Sequence, residues 1–418
     1  MQGRVENVGG SGDGVVDQDG TRWFVPLAAP GDLIEFEKLK GQGRGGPDRG
    51  RLTRVIERGP DRADAPCPHY GRCGGCAMQH VSHDFTTSWK LDQLRAALAR
   101  RGFDDVPISV GLEGAAGQRR RTSLTAIRQG EDKPIVGFHE RRGRNVVATR
   151  VCPVLEPGLE DLLVPLRQML QDVQQPRSEM RISLNMTDGG VDMLLDGGLT
   201  TGLAAHEVLT GFAEDRGLAR ISIAEGGVPW TVLERRPPVL DWDPLKVTPP
   251  AGTFLQADRA AEAYMRAVVA EWADPAAGSV DLFSGVGTLT SALPLLAGTL
   301  AVDSDEAAIN GLRNGLDASR LDVRTSVRNL FRRPLQKADL APFDQAVMDP
   351  PAAGAREQSA ELAGSDLSRV IYISCAPPTF ARDARTLCDG GFVLREVRMI
   401  DQFYWSPDVE LAALFERV

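Results

Sequence analysis

Apolar and polar positions change their period along this chain. Near the start they alternate in twos. Trp23-Phe24-Val25 makes a short strand, and after the Pro30-Gly31-Asp32 turn Ile34 and Phe36 alternate with Glu35 and Glu37. Gly9, Gly10, Gly12 and Gly14 punctuate an earlier strand, and residues 52–56 can close a small barrel over residues 1–57. The stretch between, 38–54, is rich in Gly, Lys and Arg. It reads equally as a plain surface loop or as the basic grip of a barrel on single-stranded nucleic acid. The period then lengthens. Residues 89–101 form a helix pattern with Leu91, Leu94 and Leu98 on one face and Gly102 past its end, and residues 155–170 form another. Strand patterns lie at 135–138, as a pair over 180–195 around Asp188-Gly189-Gly190, and at 221–232, so residues 58–247 read as α+β. Pro249-Pro250 marks a boundary. Over 248–418 strands and helices alternate, which predicts an α/β domain with a doubly wound parallel sheet.

The strand ends of that last region carry the chemistry. Val370-Ile371-Tyr372-Ile373 is the apolar run of a buried parallel strand. Ser374 and Cys375 end it, and Pro377-Pro378 stops the pairing. A thiol is thus set at the carboxyl end of a strand, where open α/β sheets place ligands. A lone cysteine is more often inert and buried, and the neighbouring stretches reverse that balance. Val280-Asp281-Leu282-Phe283 runs into Ser284-Gly285-Val286-Gly287, a strand passing through a glycine turn into a helix. The next strand ends in Asp303, about 20 residues after Asp281, the spacing of an acid that grips a ribose. No third glycine marks a pyrophosphate site, so S-adenosylmethionine is favoured over a dinucleotide. A further strand ends in Asp349-Pro350-Pro351, whose prolines hold a carboxylate beside the same cleft, on the strand adjacent to Cys375.

The net charge of −9 argues against a nucleic-acid partner only if charge is evenly spread. It is not. Arg119, Arg120, Arg121, Arg128, Lys133, Arg141, Arg142, Arg144 and Arg150 fall close together, as a solvated face or a phosphate seat. The first residues lack a signal-like apolar segment, and no apolar run is long enough to span a bilayer, so a cytoplasmic protein without membrane contact is expected. Disulfides are then not expected among the six cysteines. Cys67, Cys73 and Cys76 lie within ten residues, separated by small and turn-forming residues, and can converge on one centre. Thiolates select zinc or iron–sulfur clusters. Zinc sites more often pair two Cys-x₂-Cys knuckles, and this chain has one. Three close cysteines with a remote fourth, Cys152, favour a [4Fe–4S] cluster, with His69 as an alternative ligand. His206 reads as an ordinary surface or helix residue.

Taken together, these stretches resemble the RNA uracil-5 methyltransferases, in particular the TRAM-bearing, iron–sulfur-bearing type that modifies 23S ribosomal RNA. The likeness covers nearly the full length. It implies a TRAM-like, OB-like RNA-binding barrel at 1–57, an α+β central domain with the cluster and the basic segment at 58–247, and a class I, Rossmann-like methyltransferase domain at 248–418. It implies Cys375 as the nucleophile and Glu410, in Asp408-Val409-Glu410, as the general base. Gln256 in Phe254-Leu255-Gln256, Phe283, Thr288, Asp303, Asn329 and Asp349 match cofactor-binding positions, and Cys67, Cys73, Cys76 and Cys152 match the cluster ligands. Uracil C5 is a poor nucleophile. A thiolate adding to C6 makes C5 enolate-like so that it takes the methyl, and a base then removes the C5 proton. The target is expected to be a single-stranded or flipped uridine of ribosomal RNA, and the protein a monomer. A transfer-RNA enzyme, an RNA-binding relative with impaired catalysis and a small-molecule methyltransferase are the alternatives. Ala352, Ala376 and Asp408 depart from the family's Arg, Asn and His. The cluster is expected to be structural, because its cysteines lie far in sequence from the catalytic domain.

Overall fold

The computed structural model of the protein describes residues 1–39, 47–200, 202–295 and 298–417. The first 57 residues hold six strand segments, Gln2–Arg4, Asn7–Val8, Gly14–Gln18, Thr21–Val25, Leu33–Lys38 and Asp48–Glu57. Their sheet closes because its two ends are halves of one N-terminal stretch. Gln2–Arg4 pairs with Leu33–Lys38, while Asn7–Val8 pairs with Gly14–Gln18. Alternation sends Val16, Trp23, Val25, Ile34 and Phe36 inward. Asp19 and Gly20, both at positive φ, form the two-residue hairpin that the right-handed strand twist favours. The expected basic loop is shorter than 38–54, since strand resumes at Asp48. Its residues 40–46 lie outside the described residues.

The central region is a seven-stranded mixed sheet, ordered Val146–Ala148, Ile135–His139, Arg121–Arg128, Ser178–Thr187, Gly190–Asp196, Arg220–Glu225 and Val228–Glu234. Leu163–Val173 and Leu203–Asp215 contribute Leu166, Leu170 and Leu209 to a core shared with Leu124, Ile182 and Leu195 of the sheet. The helix expected over 155–170 is split into Pro157–Glu160 and Leu163–Val173. The basic segment is not one phosphate-facing surface. Arg120 is buried against Glu262 and the carbonyl of Gln256. Arg128 donates to the carbonyls of Gln171 and Gln174 at a helix end. Arg141 and Arg142 converge with Arg49 on the buried Asp13, tying the barrel to this sheet.

The C-terminal sheet has eight strands, ordered Val323–Val327, Thr299–Asp303, Ser279–Leu282, Gln345–Met348, Arg369–Ser374, Glu410–Arg417, Phe392–Ile400 and Ile108–Leu112. The first five run parallel, and Glu410–Arg417 runs antiparallel to both of its neighbours. The strands at 279–282 and 345–348 are wholly buried and 369–374 nearly so, which is why they read as continuous rather than alternating runs. The linear division at residue 248 is crossed twice. Ile108–Leu112 forms the sheet's edge, and helix His83–Ala99, capped by Ser82, adds Leu94 and Leu98 to the same core. The hairpin of Leu240–Trp242 and Leu245–Val247 packs with Leu312 and Leu316 of helix Glu306–Ser319. The buried Lys90 reaches Asp401 at 2.7 Å and the carbonyl of Phe403 at 3.0 Å. The glycine turn leads into a single 3₁₀ turn, Thr290–Ala292, rather than the expected helix, with Pro294 two residues beyond. Among the described residues no helix is long and apolar enough to cross a membrane.

Candidate active site

The carboxyl ends of the parallel strands open on a cavity of about 500 Å³. Asp349 and Cys375 follow neighbouring strands whose register pairs Met348 with Tyr372. On the other side Ser374 pairs with Leu411, which makes Cys375 and Glu410 next in register. One thiol and two carboxyls therefore share one end of the sheet. Gln256, Phe283, Thr288 and Asp303 line the same cavity. Asn329 is not among its lining residues. Its Oδ1 accepts from the N–H groups of Phe331 and Arg332, and this turn sets Phe331 against Phe283 with ring centroids 5.5 Å apart.

Backbone conformation at the glycine turn is unusual. Phe283 lies at φ 65°, a left-handed position that costs an ordinary residue about 1–2 kcal/mol. Gly285 follows at φ 54° with nothing within 4 Å of a would-be Cβ, so its backbone borders open space. Its N–H donates to Asp303 Oδ2 at 2.9 Å, and Asp303 Oδ1 accepts from Asp305 N at 2.8 Å. The second strand's acid is thus held at the turn.

The electrostatics of the cavity favour a cation. Burial raises Asp281 to about 7, with Asp349 and Asp303 adding to the rise and Thr290 opposing it. Burial also raises Asp349 to about 7, opposed by Gln256, whose Nε2 donates at 2.8 Å. Glu410 is pushed well above the ordinary carboxylate range by burial and then by Asp349. Burial, then Glu410 and Asp349, push the Cys375 thiol up to about 11. Among the described residues neither Asp349 nor Glu410 has a lysine or arginine ion-pair partner. A positive charge placed here would favour every ionised form at once.

A second cavity, of about 390 Å³, is lined by Cys67, Cys73, Cys76 and Cys152. Burial raises the thiols of Cys73, Cys76 and Cys152, Cys76 to about 11 and Cys152 to about 12. Among the described residues no three His, Cys, Asp or Glu side chains are close enough to hold a single metal ion. His69 also lines this cavity, with Nε2 accepting from Arg150 N at 3.2 Å. The two cavities share Arg121 and Phe403 as wall residues, so the sequence distance between the cysteines and the catalytic region is not a spatial one.

Residues 316–418 match the family model described as tRNA (Uracil-5-)-methyltransferase. An uncharacterized RNA methyltransferase of Caulobacter vibrioides is 34% identical over 99% of this chain and 99% of its own. The 23S rRNA (uracil(1939)-C(5))-methyltransferase of Edwardsiella ictaluri is 31% identical over 97% of this chain and 93% of its own. The chain belongs to the RNA uracil-5 methyltransferase family. The fold agrees. The tRNA (uracil-54, C5)-methyltransferase of Pyrococcus abyssi, solved with S-adenosyl-L-homocysteine, superposes with TM-score 0.74 over 99% of this chain and 100% of that one, at 22% identity.

Within this uracil-5 methyltransferase, sequence reasoning missed Phe331 and Gln402, both lining the strand-end cavity. Phe331 sits on an unpatterned turn two residues past Asn329. Gln402 follows the strand Phe392–Ile400 in a segment with no motif, and only tertiary structure brings it to Glu410. Of the positions that depart from the family pattern, Ala352 lines the strand-end cavity. Asp408 lines the thiol cavity and accepts from Ser406 Oγ at 2.6 Å.

Proposed function

We propose that this S-adenosylmethionine-dependent enzyme methylates C5 of a uridine in large-subunit ribosomal RNA, with Cys375 as nucleophile and Glu410 as general base. The observation that carries the reading is the strand register, which makes Cys375 and Glu410 next in register past the Ser374–Leu411 pair, both lining an acid-rich cavity. Bound S-adenosylmethionine supplies an electrophilic methyl on a sulfonium whose charge favours the ionised forms of the surrounding acids and thiol. Gln256, Phe283, Thr288, Asp303 and Asp349 hold it, and Asn329 contributes by fixing the turn that presents Phe331. The Cys375 thiolate adds to C6 of the uracil, and the displaced pair makes C5 nucleophilic toward the methyl. Glu410 takes the C5 proton, the C5–C6 double bond re-forms, and the sulfur–C6 bond breaks to release the thiolate.

Residues 1–57 act as a TRAM-like RNA-binding barrel, 58–247 as the central domain and 248–418 as the methyltransferase domain, with 83–112 lent to the latter's sheet. The four thiols ring one cavity, and on this reading they would hold a [4Fe–4S] cluster, the group that three close cysteines and a remote fourth suit. The ribosomal target rests on the full-length likeness to the Edwardsiella enzyme. Nucleoside mass spectrometry on unmodified ribosomal and transfer RNA, incubated with anaerobically purified protein and S-adenosylmethionine, tests it. New 5-methyluridine in ribosomal RNA, absent with Cys375→Ala, is the expected result. 5-Methyluridine in transfer RNA alone would replace the target, and none in either would overturn the reaction.

A further inference from the structure

Both ends of the Gln402 amide are engaged. It is buried, 6% exposed, between the strand that brings Glu410 and the loop that carries Gln256. Its Oε1 accepts from the backbone N–H of Ala257 at 3.1 Å. Because a backbone N–H can only donate, this bond fixes which way the amide points, and the NH₂ must face the other side. There it donates to Glu410 Oε2 at 2.6 Å and to Gln256 Oε1 at 3.2 Å. Gln256 in turn donates to Asp349 Oδ2 at 2.8 Å. The consequence for Glu410 is asymmetry. Oε2 is occupied, while Oε1 is buried without a partner among the described residues, in a cavity that Cys375 also lines. A buried carboxylate oxygen left unpartnered is costly, and such sites are commonly filled by the ligand they are built for.

We infer that Gln402 is a positioning residue for the elimination half of the reaction: it clamps Glu410 through Oε2 so that Oε1 is aimed at the C5 proton of the methylated adduct. The inference rests on the proposed roles of Cys375 and Glu410. In the step it serves, Oε1 accepts the proton from C5, and the C–H electron pair becomes the C5–C6 double bond. The C6–S bond breaks, and its pair leaves with Cys375 as thiolate. Gln402 touches neither substrate nor cofactor in this scheme. Its effect should fall on proton removal and leave the earlier addition and methyl transfer nearly intact.

Gln402→Met keeps the length and removes both the donor and the acceptor. The test follows one turnover with a uridine-containing RNA and methyl-labelled S-adenosylmethionine. It counts label in a detergent-stable protein–RNA adduct and label in released RNA. For Gln402→Met, adduct is expected to form at close to the wild-type rate and to resolve roughly 10²-fold more slowly, the scale of a positioned general base. A merely structural residue would slow both phases together, and that outcome, or wild-type resolution, overturns the inference. Should Gln402→Met fold poorly, Gln402→Glu gives a second reading. When protonated, its carboxyl can still accept from Ala257 and donate to Glu410, and when ionised it repels Glu410. Resolution by Gln402→Glu is expected to keep pace at low pH and fall as the pH rises, whereas a pH profile parallel to wild type would overturn the clamp. A wild-type protein that forms neither labelled adduct nor labelled RNA would instead sink the underlying reaction, so the two failures are distinguishable.

Discussion

Cofactor binding is expected to expel a proton, and Asp349 is the group to follow. In the free protein its carboxyl is raised to about 7 by burial, so near pH 6 it is mostly protonated. The titratable and charged groups facing the same cavity are Asp281, Asp303, Asp305, Glu410, Cys375 and Arg121, with Gln256 bonded to the carboxyl itself. A unit positive charge about 4 Å away is worth about 4 kcal/mol at an effective dielectric near 20. Half of that, about 2 kcal/mol, is a factor of about 30 between the ionised and protonated forms. Affinity for S-adenosylmethionine is therefore expected to rise about 20- to 30-fold from pH 5 to pH 8 and to flatten above, with proton release greatest near pH 6. Titration calorimetry in two buffers of different ionisation enthalpy reads the release directly. S-adenosylhomocysteine, which lacks the sulfonium but keeps the amino acid, is the control and should release far less. Asp349→Asn should remove the carboxyl's share. Equal pH dependence for the two ligands, or an undiminished release in Asp349→Asn, would refute the electrostatic reading of the cavity.

Other perturbations test other parts of the structure. Asp281 and Asp349 are both raised, so in the free protein they favour folding at acid pH. That contribution is complete below the ordinary carboxylate range and lost as the pH climbs through about 7. Thermal melts without cofactor should therefore show a decline between pH 4 and 7 that Asp281→Asn makes shallower, and an unchanged slope would count against the assignment. Lys90→Met leaves the Asp401 carboxylate buried without its partner and should cost about 3–5 kcal/mol in urea melts, most of it recovered by adding Asp401→Asn. A loss under 1 kcal/mol would mean that the pair is relaxed. Cys152→Ser should lower bound iron and visible absorbance in anaerobically purified protein. Full retention of both would remove Cys152 from the ligand set.

What the sequence disclosed and what it hid divide along a physical line. Val370 to Ile373, the Gly285–Gly287 turn and Asp349-Pro350-Pro351 are local signals, and each lies where its pattern points, at the carboxyl ends of parallel strands. Ile108–Leu112 gave no hint that it edges a sheet whose neighbouring strand begins at Phe392, because strand pairing leaves no mark on residues so distant in sequence. Gln402 and Phe331 were illegible for a related reason. Their residue types are unremarkable, and their meaning comes only from what they face, Glu410 in one case and Phe283 in the other.

The arginine segment shows how composition leaves a side chain's partner open. Arg120, Arg141 and Arg142 read equally as a solvated face or a seat for phosphate, yet each is spent on a carboxylate of another part of the chain, Glu262 or Asp13. Those pairs share a task. Among the described residues Asp349 and Glu410 have no cation of their own, and burying them works against folding at neutral pH. A site with that electrostatic strain needs rigid surroundings. Lys90 on Asp401, Arg120 on Glu262 and the three arginines on Asp13 supply these by fixing the barrel, the central sheet and the catalytic sheet to one another. Arg121 is placed differently. Its guanidinium lies over the exposed Phe254 ring at 4.1 Å, in the wall between the two cavities, and burial pulls it down to about 10. The guanidinium charge next to the catalytic cavity is thus paired with an aromatic face rather than with an acid. That leaves Asp349 and Glu410 without a protein cation among the described residues, as the proposed binding of a sulfonium there requires.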